Sequence, residues 1–164
     1  SHQVAACLGL APPNATCVGN QWSVPSLQVL PNTTLSLASP VTVSGSQASI
    51  GGMVSFTVGG SPPSVAIIQG SCVTVVPGAS FTLNVTSRPA SSSLSIPLIS
   101  SSGCGLSGSV GVSAKASGSW ATSCDSLDAS TFISGATLSA AVNLKNSCGE
   151  NGLSTGAIVG RKHC

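Results

Sequence analysis

Phe81, Leu83 and Val85 alternate with Ser80, Thr82, Asn84 and Thr86. This apolar–polar period of two predicts a strand with one buried and one wet face. The alternation recurs along the chain. Leu27 and Val29, Leu35 and Leu37, and Val41 and Val43 form short runs, and Val54, Phe56 and Val58 another. Val65 to Ile68 is continuously apolar, the pattern of a strand covered on both faces. Leu94, Ile96 and Leu98, then Val110, Val112 and Ala114, then Leu138, Ala140, Val142 and Leu144 extend the series. Pro25, Pro31 and Pro40, with Pro77-Gly78, mark the turns, since proline cannot donate to a ladder. The Gly51-Gly52 pair suggests a bulge. Only residues 116–128, around Trp120 and Cys124, leave room for a helical turn. About ten short strands without a convincing helix predict an all-β fold, an antiparallel β-sandwich. A β-solenoid would require a fixed repeat, and the sequence has none. Residues 1–25 read as an N-terminal arm and 26–164 as the sandwich domain, with 88–93 as a candidate division into two lobes.

The composition moves the picture toward secretion. Charged residues are 5% of the 164, against roughly a quarter in an ordinary domain, and the net charge is +2. Polarity comes from 33 Ser and 12 Thr instead. So few charges leave little repulsion to keep copies apart, which favours an assembled or glycosylated state. Five basic residues make no nucleic-acid footprint, and no apolar run is long enough for a membrane span. The start at Ser1 is what a chain with its signal peptide removed would present.

Seven cysteines occur, with no C-x-x-C and no histidine at zinc spacing, so disulfides are favoured over a metal. Cys7, Cys17, Cys72, Cys104, Cys124 and Cys148 are the expected disulfide set, with Cys7–Cys17 the favoured local pair. Cys164 is the odd thiol, free or bonded to a neighbouring molecule. Asn14-Ala15-Thr16, Asn32-Thr33-Thr34 and Asn84-Val85-Thr86 are N-glycan acceptors, so Asn14, Asn32 and Asn84 should carry sugar on a eukaryotic secretory route.

Candidate chemistry is sparse. Asp125, Asp128 and Glu150 are the only carboxylates, and His2 and His163 the only imidazoles. Asp125 and Asp128 suggest a glycosidase pair or a calcium site on paper, but their setting reads as a solvated turn. No nucleophile elbow, P-loop, dinucleotide or haem motif is present, so neither an enzyme nor a cofactor is expected. A lectin or adhesin would stack sugars on Trp22 or Trp120, because Phe56 and Phe81 lie in apolar rows.

Low charge and Ser/Thr/Val-rich alternation are similar to those of bacterial fimbrial subunits, although no fimbrial motif is present. That resemblance implies a fimbrial-subunit-like or immunoglobulin-like sandwich that accepts a strand from the next copy, and residues before Ser44 are the candidate donor. Ala11-Pro12-Pro13 and Ser61-Pro62-Pro63-Ser64 resemble short motifs of the hydroxyproline-rich matrix glycoproteins of plants and green algae. The resemblance implies hydroxylation and O-glycosylation at Pro12, Pro13, Pro62 and Pro63; the alternative is that these are turn prolines. The expectation is therefore an extracellular glycoprotein whose partners are copies of itself and attached glycans, forming a fibre, wall or matrix. A carbohydrate-binding lectin or adhesin is the second reading.

Overall fold

The computed structural model describes residues 7, 9–59, 63–104, 106 and 110–147. Among them there are fourteen strands and no helix. A hairpin opens the fold, β1 (Thr16–Val18) and β2 (Gln21–Val24), turning at Gly19 with φ of 66°. β3 (Leu27–Val29) and β4 (Thr34–Leu37) complete a first coil with β2. β5 (Val41–Val43), β6 (Ala48–Ile50) and β7 (Met53–Val58) make a second coil. β8 (Ile68–Gly70), β9 (Val73–Val75) and β10 (Ser80–Val85) make a third. β11 (Ser93–Ser101) and β12 (Gly111–Ala116) belong to a fourth, and the hairpin of β13 (Asp125–Ser134) and β14 (Thr137–Asn146) follows.

The coils stack strand on strand. β2, β5, β8 and β11 pair in parallel, as do β3, β6 and β9, and as do β4, β7, β10 and β12. Three sheets therefore wrap one core, the arrangement of a parallel β-helix. Only the ends are antiparallel: β1 runs against β2, and β14 runs between β11 and β13. These additions make the first sheet seven-stranded and mixed.

The antiparallel sandwich expected from the sequence is thus overturned. Alternation does show that one face of each strand is buried, but it cannot show what direction the neighbour runs. Parallel sheets normally carry cover on both faces and lose their alternation. Here the three sheets cover one another through a shared interior, and the outer faces stay wet. The solenoid, excluded above for want of a fixed repeat, is present with coils that differ in length. Trp22 aligns with Val41, Val41 with Ile68 and Ile68 with Ile99, so consecutive coils advance by 19, 27 and 31 residues. The extra residues fall between β7 and β8, in segment 86–92, and in the early part of β11.

Inward side chains form columns. Val41, Ile68 and Ile99 are fully buried in one, and Val54 with Phe81, then Phe56 with Leu83, fill others. Full burial of each such side chain stabilises by about 1.5–3 kcal/mol. Gly45 and Gly52 lie where the chain turns between sheets. A Cβ on Gly45 would overlap the carbonyl oxygen of Pro25, and one on Gly52 that of Leu30, so Gly51-Gly52 is a corner, not a bulge. The register shift falls instead between Pro97 and Ile99, where a proline sits inside β11. Of residues 116–128, where a helical turn had room, 116 and 125–128 belong to strands and 117–124 form bends and a turn.

Disulfide Cys72–Cys104 ties the third coil to the fourth across a sequence separation of 32. A loop of that size implies roughly 3–4 kcal/mol of stabilisation. Cys7–Cys17 pins the opening segment to β1. Such bonds belong to a chain that matures in an oxidising environment.

Candidate functional site

The outer face of the mixed sheet is a polar ladder. The Thr42 hydroxyl donates to Gln21 Oε1 at 2.8 Å, and Gln69 Nε2 donates to the same oxygen at 3.0 Å. Gln21, Thr42 and Gln69 thereby link three successive coils through side chains alone. Beyond Gln69 the ladder register continues to Ser100 and Thr137.

There the sheet floors an open groove of about 500 Å³. Gln69, Ser100, Thr137 and Ser139 form its base, and Ser64, Val65 and Ala66 one wall. Phe132 stands over it from β13 and is 42% exposed. No charged residue lines it among the described residues. The groove owes its shape to the long corner. Residues 63–67 reach back over the sheet, with the Ile67 amide donating to the Pro97 carbonyl at 3.1 Å, and the early half of β11 supplies Ser95 and Pro97. The insertions that hide the coil repeat therefore build the groove. Sequence reasoning passed over Phe132, although a signal existed. It occupies the wet phase of β13, in register with Ser126, Asp128, Ser130 and Ser134, where an aromatic has no core to enter.

Among the described residues the sheet ends on β13 at one side and on β1 at the other. β13 pairs with β14 over all ten residues, and its first half packs beside β12, with Leu127 and Ala129 against the core. Residues 130–134 are exposed and have no strand on their other side among the described residues. Ile133 lies on the face opposite Phe132 and is 53% exposed. At the far end β1 is the outermost strand, with Val18 and the nearby Leu10 strongly exposed.

The sequence-predicted residues are dispersed. Asn14 and Asn32 occupy exposed turns with φ of 60° and 65°, a conformation that asparagine tolerates. Asn84 lies on the outer face of the four-stranded sheet, and its Nδ2 donates to the Ser55 hydroxyl at 2.9 Å. Phe81, Leu83 and Val85 face the core, as their alternation predicts. Pro12 is buried, Pro13 exposed and Pro63 half-buried, while Pro62 lies outside the described residues. Cys124 is disulfide-bonded. Cys148, Cys164, Glu150, His2 and His163 fall outside the described residues. The candidate donor before Ser44 is instead occupied at home, since Leu27, Val29, Leu37, Val41 and Val43 are buried in this chain's own core.

Neither tryptophan is a free platform. Trp22 aligns with the buried Val41 and packs against the core, and its Nε1 is buried without a hydrogen-bond partner among the described residues. Trp120 Nε1 donates to the Val85 carbonyl at 2.8 Å, and the Arg88 guanidinium lies 5.2 Å from its ring centroid. Arg88 also pairs with Asp125 at 2.8 Å. The Asp125 carboxylate accepts from the Thr122 amide and hydroxyl and from Asn146. The Thr122 amide, then Arg88, hold that carboxyl well below the usual carboxylate range. Asp128 pairs with Lys145 on the exposed hairpin. Three residues apart on one strand, the two carboxylates project to opposite faces and do not converge.

Comparison of the chain with family models, curated proteins and solved structures gives no match.

Proposed function

We propose that this chain is a secreted, N-glycosylated structural subunit that polymerises head to tail through the free edges of its mixed sheet. The carrying observation is the outer half of β13. Residues 130–134 read Ser-Thr-Phe-Ile-Ser, without charge, proline or glycine, on an edge that no other described strand pairs. Proteins normally guard such an edge with charges, bulges or cover, and an unguarded one is a template for another chain. β1 offers a second edge at the opposite end, flanked by the exposed Leu10 and Val18. Because the two edges differ, their contact is heterologous and propagates into a filament rather than closing a dimer. Low net charge removes the repulsion that would oppose it. Glycans on Asn14, Asn32 and Asn84 would leave the edge of β13 uncovered, Asn84 because it projects from another sheet. Copies of the same chain are the partner, and an extracellular fibre, wall or matrix is the destination.

Negative-stain microscopy and light scattering test the reading. Wild-type protein is expected to form filaments, and the double variant Ser130→Lys/Ile133→Lys to remain monomeric with an unchanged far-ultraviolet spectrum. Wild-type protein that stays monomeric at high concentration, or a variant that polymerises equally, would overturn it.

A further inference from the structure

We infer that the groove over Gln69 and Ser100 is a binding site for a neutral polysaccharide, a role separate from assembly through the sheet edges. Three features select that ligand. The first is chemical: the floor presents hydroxyls of Ser100, Thr137 and Ser139, which both donate and accept as sugar hydroxyls do, beside the Gln69 amide oxygen, which accepts. The second is electrostatic. Among the described residues no charged side chain lines the groove, so none of them repays the desolvation of an anionic or cationic ligand, whereas a neutral polyol exchanges water hydrogen bonds for protein ones. The third is the exposed Phe132 ring, an apolar flat surface at the edge of a polar floor, suited to the C–H face of a pyranose.

The floor is also held in place before any ligand arrives. Gln69 Nε2 is committed to Gln21 Oε1 at 3.0 Å, so the amide plane is fixed and its Oε1 keeps a set direction. Ser139 is only 7% exposed, seated between the Phe132 position and Pro97 in the strand register. A site built on paired strands loses little side-chain freedom on binding. The cavity volume lies within the range of small-molecule clefts, and the groove is open to solvent.

Calorimetry on the full chain decides the matter, using neutral gluco-, manno-, galacto- and xylo-oligosaccharides with a polyuronate as the charged probe. Saturable binding of at least one neutral oligosaccharide is expected, with the polyuronate not bound. Phe132→Ala should weaken that binding by about tenfold and Phe132→Tyr should restore it. The exposed position of Phe132 leaves folding intact in both variants, which matching thermal melts would verify. Failure of every neutral oligosaccharide, preference for the polyuronate, or equal affinity in wild type and Phe132→Ala would each overturn the assignment.

Discussion

Asp125 shows how one side chain can hold distant segments together. Its carboxylate gathers Thr122 from the preceding turn, Arg88 from the long corner and Asn146 from the end of β14. The folded state binds this proton more weakly than the unfolded chain does. The resulting stabilisation is therefore present above the ordinary carboxylate pKa and is lost as pH falls toward the depressed folded value. Wild-type melting temperature is expected to fall on acidification below about pH 4. Asp125→Asn should melt lower at neutral pH and show a shallower acid limb, and a pH series of thermal melts checks both. Leu83 represents the opposite chemistry. It is fully buried between Phe56 and Ala114 in the strand register. Leu83→Ala should destabilise by about 2–5 kcal/mol, measured by urea denaturation, because the strands on both sides are anchored and cannot close the cavity.

At the level of elements, much was legible. The alternating rows at 27–29, 35–37, 41–43, 54–58 and 81–85 all became strands with the anticipated face turned to the core, fully buried except at the half-buried Leu35. The pairing was not legible, because a period of two is identical in parallel and antiparallel ladders. Nor did the rows announce that Phe132 would stand over a groove, since that depends on which loop faces β13. Trp22 and Trp120 drew attention as sugar platforms by residue type, yet packing and the Val85 carbonyl absorb them. The corner glycines carry information that sequence alone left ambiguous. Gly45→Ala should destabilise by about 1–3 kcal/mol in the same urea assay, because the added methyl meets the Pro25 carbonyl of the coil beneath and one of the two backbones must move.

At the scale of the whole molecule, each coil contacts chiefly its neighbours, and both ends are closed by antiparallel hairpins. Solenoids require such terminal capping to stay soluble. The capping here is unequal, since β13 closes the core with Leu127 and Ala129 but leaves its outer half open. Polymerisation and ligand binding then fall on different parts of one hairpin: the edge and the Ile133 face for one, the Phe132 face for the other. The unequal coils have a further consequence, in chain entropy. Lengthening a closed loop from 19 to 31 residues adds only about 0.4 kcal/mol to its closure. The rungs on either side are fixed by paired strands, so the corner formed by the connections from β7 to β8 and from β10 to β11 can lengthen or change sequence while the register stays put. Stability is written in the rungs, and that corner is where new recognition surfaces can be added at small thermodynamic risk.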